Sequence, residues 1–169
     1  MSQVFNDFAH KVRLSRKVTP FQGRLLSLDP GQTTGWTVWD CTPGQDDVRI
    51  AHGQLTSWGM KEGVRNFAAL LDQYLPTFAV YESYHIYDWK LESHSFSDVP
   101  TLRIIGGMET QLIQRDIPFT TQSAQVAKTF VDDERLKKFG YWEKGLKHSR
   151  DAHRHAIYFL CFGITAKDK

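Results

Sequence analysis

Apolar and polar positions along the chain predict a short series of elements. Arg24–Leu28 (RLLSL) is a compact apolar run, read as a buried strand, and it ends at the turn signal Asp29-Pro30-Gly31. Gly35–Asp40 (GWTVWD) alternates and is rich in β-formers. Val48–Leu55 follows the turn Thr42–Asp46, so a three-stranded meander is expected. Gly63–Leu75 carries Val64, Phe67, Ala68, Leu71 and Leu75 at helical spacing, and Pro76 stops it. Phe78–Tyr81 (FAVY) is a fourth buried strand running into Glu82, and residues 83–99 read as a long loop of Tyr, His and Ser. Thr101–Arg115 is helical, with Leu102, Ile105, Met108, Leu112 and Ile113 on one face. Pro118–Gln122 is a fifth strand, and Ser123–Val131 a short helix with Ser123 as its N-cap. Residues 132–147 read as charged and irregular. Residues 149–162 form a last helix with Ala152, Ala156, Ile157, Phe159 and Leu160 on its apolar side.

Taken in order (βββαβαβα), these elements predict an α/β fold with a five-stranded mixed sheet flanked by helices. Residues 1–23 read as a basic arm or short helix ahead of a single domain spanning 24–169. A hydrophobic share of 41% over 169 residues is ample for one core and cramped for two. No stretch approaches the ~20 apolar residues of a membrane span, and MSQVFNDFAHKVR has no apolar run followed by a cleavage site. Cys41 and Cys161 are too few for a disulfide framework and lack metal-ligand spacing, so a cytoplasmic protein is expected.

The net charge of +2 conceals an uneven distribution. Residues 1–24 hold five bases and one acid, and residues 135–154 hold seven bases and two acids. Residues 40–134 hold fourteen acids and seven bases. Basic ends on a near-neutral chain can present a cationic face to a polyanion. The plainer reading is solvated charge on a helix and a loose terminus.

Three acids stand at the ends of buried elements, where a carboxylate is costly without a partner. Asp29 follows RLLSL, and Glu82 follows FAVY. If those strands pair in parallel, both acids emerge at the same sheet edge, where open α/β sheets place ligands. Asp151 opens the last helix, with His148 three residues before it and His155 four after, all on one helical face. Oxygen donors with an imidazole suit Mg²⁺ or Mn²⁺ better than zinc. Singly, each residue has a plainer role: Asp29 as a turn acceptor, Glu82 as a solvated strand end, Asp151 at a helix N-terminus, the histidines as surface groups. Jointly they point to a metal site.

The string DPGQTTGW also suits a phosphate-facing hairpin. RLLSLDPGQTTGWTV, FAVYES, TLRIIGGMETQLIQRDIPFTTQSAQVAKTFV and HSRDAHRHAIYFL together resemble, in order and spacing, the RuvC family of Holliday-junction resolvases within the ribonuclease H-like (retroviral integrase) superfamily. Small phage-encoded members share this resemblance. The resemblance implies a ribonuclease H-like fold and a structure-selective DNA endonuclease. Such an enzyme makes paired nicks with 5′-phosphates in four-way junctions, using two Mg²⁺ or Mn²⁺ ions about 3.5–4 Å apart. Carried over by residue, Asp29, Glu82 and Asp151 match the metal-binding acids, and His148 falls where some members have Asp and others His. His155 is a ligand, an outer support or a phosphate contact. Gln125 and Lys128 resemble a DNA-contacting stretch.

Tyr84, Tyr87, Trp89 and Lys90 in the long loop could stack on unpaired bases. Lys137, Lys138, Lys144 and Lys147 suit backbone phosphates. A two-fold symmetric junction implies a homodimer, with Thr101–Arg115 as a candidate face where Gly106 and Gly107 would permit close approach. No small-molecule cofactor and no membrane are expected. Competing readings are a flap, fork or RNA–DNA hybrid nuclease of the same fold, a catalytically silent nucleic-acid-binding module, or an actin-like ATP-binding domain. The last needs two such domains and has no place for the His-x-x-Asp helix.

Overall fold

The structure, a computed structural model, describes residues 3–56, 59–84 and 100–163. Its sheet has the order β3-β2-β1-β4-β5, built from β1 (Gly23–Asp29), β2 (Thr33–Cys41), β3 (Val48–Thr56), β4 (Phe78–Glu82) and β5 (Phe119–Gln122). The first three strands pair antiparallel as a meander, and β1-β4 and β4-β5 pair in parallel. The helices are α1 (Gln3–Arg16), α2 (Met60–Tyr74), α3 (Pro100–Gln114), α4 (Ala124–Phe130), α5 (Asp133–Phe139) and α6 (Lys147–Phe162). This is the α/β, five-stranded mixed sheet expected from the pattern.

Strand parity sorts the side chains into two cores. Leu26 and Leu28 of β1, Val38 of β2 and Ala79 and Tyr81 of β4 pack against α2 and α3 through Phe67, Leu71, Ile105, Met108 and Leu112. Leu25, Trp39, Phe78 and Val80 point the other way, onto α6 through Ala156, Ile157, Phe159 and Leu160. Small residues let α6 lie close to the sheet: the Ser27 hydroxyl donates to the Ala152 carbonyl at 2.8 Å. By the same parity, Asp29 and Glu82 end their strands on the α6 face.

Three details differ from the sequence pattern. Residues 133–139 are helical, not irregular. Asp132 caps the start by accepting from the Arg135 N–H, Gly140 closes the end in a left-handed conformation, and Leu136 and Phe139 are buried. Leu75 lies outside the apolar face of α2, because it is the left-handed C-cap and is 70% exposed. On α3 the buried stripe is Ile104, Ile105, Met108 and Leu112, so Leu102 and Ile113 face outward. The N-terminal segment forms α1, which inserts Phe5 edge-on against Trp39 at 5.3 Å and ties Arg13 to Asp47 at 2.7 Å.

Gly106 and Gly107 part company. A Cβ at Gly107 would lie 2.3 Å from the Val64 side chain, so Gly107 serves the α2–α3 contact within the chain, while Gly106 borders open space. No helix among the described residues is long and apolar enough to cross a membrane.

Candidate functional site

Asp29, Glu82, His148, Asp151 and His155 meet at one edge of the sheet. β1 and β4 run in parallel, with Leu28 beside Tyr81, so their carboxyl ends deliver Asp29 and Glu82 side by side. β5 adds Gln122 next to Glu82. α6 crosses above and presents His148, Asp151 and His155 at spacings of three and four.

Each carboxylate is engaged by a basic group. His148 Nδ1 lies 2.7 Å from Asp29 Oδ2 and donates to it, and the His148 side chain stays 39% exposed. His155 is fully buried. Its two ring nitrogens lie 3.0 Å from Gln122 Oε1 and 3.0 Å from Glu82 Oε2. Lys128, reaching in from α4, places Nζ 3.3 Å from Asp151 Oδ2 and 3.4 Å from Glu82 Oε2. Arg154 binds the other oxygen of Asp151, as well as Asp133 and the Val131 carbonyl.

Crowding of like charges marks the site electrostatically. Burial, then the Glu82 charge and further the Asp151 charge, push Asp29 up to about 6 against the pull of His148. Burial also pushes Glu82 up. The His155 hydrogen bond and charge, with Lys128, overcome it and hold the carboxyl below its usual value. Burial lowers Lys128, but Asp151 and Glu82 more than restore its proton affinity.

Among the described residues, no three His, Cys, Asp or Glu side chains already enclose a point where an ion would sit. The donor set nevertheless fits a hard divalent cation. It offers several carboxylate oxygens and an imidazole, and the Lys128 ammonium occupies the place between Glu82 and Asp151 that such a charge would take.

The other candidate residues lie around this edge or outside it. Gln125 is exposed on α4, and Tyr84 is 39% exposed two residues beyond Glu82. Lys147 lines an open cleft of about 480 Å³ with Lys128, Arg150, Asp151 and Arg154, directly beside the acids. Lys137 and Lys138 line a separate cleft of about 470 Å³ with Arg49 and Tyr141. Lys137 and Arg150 also sit over the Trp142 ring. Lys144 is exposed. Tyr87, Trp89 and Lys90 lie outside the described residues. Sequence reasoning missed Gln122 and Arg154. The strand-end parity that singled out Glu82 applies equally to its β5 neighbour Gln122, whereas Arg154 carries no signal beyond its place on α6.

No family model and no curated protein matches this sequence. Among solved structures, the fold is similar to that of Thermus thermophilus RuvC in complex with a Holliday junction substrate. That match has 12% identity, covers 79% of this chain and 90% of that one, and gives a TM-score of 0.62. It is also similar to the fowlpox virus Holliday junction resolvase, at 14% identity over 81% of this chain and 97% of that one, with a TM-score of 0.56. The architecture is therefore the RuvC-like form of the ribonuclease H fold.

Proposed function

We propose that this chain is a divalent-metal-dependent endonuclease that nicks four-way and other branched DNA. The observation that carries the reading is the convergence of Asp29, Glu82 and Asp151 from two parallel strand ends and one helix. Their mutual repulsion is relieved by Lys128 and by hydrogen bonds from His148 and His155. An acidic cleft has little use in a protein that merely binds a polyanion. The fold likeness to resolvases, two of them solved with junction DNA, supports the substrate class.

Asp29, Glu82, Asp151 and His148 would hold Mg²⁺ or Mn²⁺. Bound there, the metal would supply an activated water and stabilise the charge that develops on a phosphodiester under attack. The chain's own residues do the rest. Asp29 orients His148 through its Nδ1–H. His155, with both ring nitrogens committed, supports Glu82 rather than contacting phosphate. Lys128 and Arg154 orient Asp151. Lys147 and Arg150 line the cleft beside the acids and suit flanking phosphates, with Lys137, Lys138 and Lys144 extending the basic track. Tyr84, two residues beyond Glu82, would meet a base there, and Tyr87, Trp89 and Lys90 follow it in sequence. Gln125 belongs to the same DNA-facing helix as Lys128. A symmetric junction calls for two copies of the chain, and the outward Leu102, Gly106 and Ile113 of α3 offer a surface for a second copy.

The test is cleavage of a labelled four-way junction beside linear duplex, flap and RNA–DNA hybrid, with Mg²⁺, Mn²⁺ or EDTA. Paired, metal-dependent nicks in the junction, absent in Asp29→Asn, are expected. Cleavage confined to flap or hybrid would move the substrate class. No cleavage by folded protein would remove the reading.

A further inference from the structure

The first turn of α6 carries His148 and is followed by Asp151, yet it has no cap of its own. The preceding residue, Leu146, makes no side-chain cap hydrogen bond. The open N–H groups are instead taken by a residue of β3. Gln54 Oε1 accepts from the His148 N–H at 2.9 Å and from the Ser149 N–H at 3.4 Å. Those are two of the donors that every helix start leaves unsatisfied.

Gln54 does not act from an arbitrary place. In the register of the sheet, Asp29 of β1 faces Gly35 of β2, and Gly35 faces Gln54 of β3. One rung thus begins at the central carboxylate and ends at the cap. The middle of the rung is a glycine for a visible reason. A Cβ at Gly35 would lie 2.0 Å from both the carbonyl carbon and oxygen of His148, and 2.5 Å from the Ser149 nitrogen. Backbone atoms of α6 occupy that space and cannot yield as a flexible side chain would. The helix start therefore rests on Gly35, is pinned on one side by Gln54, and on the other places the His148 ring 2.7 Å from Asp29.

We propose that Gln54 is a positioning residue: its side-chain oxygen fixes the first turn of α6 against the Asp29–Gly35–Gln54 rung, and so sets His148 relative to Asp29. The reach is specific. The oxygen must extend from an edge strand to a helix lying over the neighbouring strand, which a side chain one methylene shorter does not span. Glutamate keeps the oxygen at the same distance, and its charge suits a helix N-terminus. The catalytic part of this inference rests on the nuclease reading, whereas the capping part does not. A displacement of about 1 Å in such a group is enough to lower turnover by roughly 100-fold.

The experiment compares wild type with Gln54→Ala, Gln54→Asn and Gln54→Glu. Amide hydrogen exchange is measured in EDTA, and kcat and KM for junction cleavage in Mg²⁺. In Gln54→Ala and Gln54→Asn, exchange at His148 and Ser149 should speed up about 10-fold or more while the β1 and β4 amides keep their protection. The kcat should fall about 10- to 100-fold with KM nearly unchanged. Gln54→Glu should restore both. Unchanged exchange at these two amides in Gln54→Ala would overturn the proposal. So would a Gln54→Glu variant as impaired as Gln54→Ala, or altered exchange with wild-type kcat. A wild type that cuts no junction, with the exchange pattern as expected, would leave the capping role standing and remove the nuclease reading.

Discussion

Glu82 is held at 3.0 Å by His155, a fully buried imidazole whose other nitrogen is spent on Gln122. The carboxylate at the end of β4 is therefore aimed by a relay that starts on β5 and passes through α6. Both ring nitrogens of His155 are engaged, whereas the buried side-chain nitrogen of Gln122 has no hydrogen-bond partner among the described residues.

Replacing His155 with alanine should consequently weaken divalent-ion binding about 10- to 100-fold, the usual cost of removing a residue that orients a ligand. Titration calorimetry with Mn²⁺ measures it. Equal affinity in wild type and His155→Ala would show that Glu82 needs no support.

Lys128 predicts an effect on metal response. Its ammonium stands between Glu82 and Asp151. Lys128→Met leaves those carboxylates facing one another, so the metal-free protein should melt lower than wild type. The rise in Tm on adding Mg²⁺ should be larger, because the ion no longer competes with a resident charge. A thermal scan with and without EDTA checks this, and an unchanged Mg²⁺-induced shift would contradict it.

Asp29 yields a pH-dependent difference. Its carboxyl is raised to about 6 in the folded protein from an ordinary value near 3.8. A raised carboxyl costs stability when ionised, fully so well above pH 6, and costs nothing only once both folded and unfolded chains are protonated, below about pH 3. In EDTA, Asp29→Asn should therefore be more stable than wild type by up to about 3 kcal/mol at pH 8, at about 1.4 kcal/mol per pKa unit. The gap should narrow as pH falls from 6 toward 3, to about 1 kcal/mol at pH 4.5. Denaturant unfolding at pH 8, 6 and 4.5 supplies the comparison, and a gap independent of pH would refute it.

His153 works in the opposite sense. Burial lowers it to about 3, and its Nδ1–H donates to the Ser149 carbonyl while Arg49 donates to Nε2. A histidine whose folded value is depressed favours folding above its ordinary value near 6.5. That contribution is lost as pH falls further, by about 2 kcal/mol at pH 5. In an NMR titration the His153 ring signals should stay in the neutral form down to about pH 4. A midpoint near 6.5 would show that the ring is not sealed.

Phe5 tests the weight of α1. It is wholly buried against Trp39, Phe139 and Tyr141. Phe5→Ala should cost about 3–5 kcal/mol, measured by urea unfolding. A loss under 1 kcal/mol would make α1 dispensable.

The parts of this molecule that follow a period were legible in its sequence. RLLSLD and FAVYE are strands because they are short apolar runs bounded by turn residues. Counting by two from Leu25 and Phe78 puts both terminal acids on one face. The spacing of His148, Asp151 and His155 is equally periodic. What pattern alone does not show is how one element meets another. Lys128 reads in sequence as part of a DNA-contacting stretch, and only the packing of α4 beside α6 brings it to Asp151. Leu102 and Ile113 had helical spacing, yet the face that α3 buries is set by α2, through Gly107 and Val64. The dense charge of residues 132–147 masked the Asp132 and Gly140 caps of α5.

The rung from Asp29 to Gln54 is complete once β3 has been made, and Glu82 arrives with β4, but Asp151 lies 69 positions later. A chain emerging from the ribosome can thus close most of its sheet while holding only two of the three acids. Gly35 and Gln54 then wait, already paired across the meander, for a helix that has not been synthesised. The three acids therefore cannot meet before α6 has been made, so a copy truncated ahead of Asp151 should lose the tight divalent-ion binding expected of the whole chain.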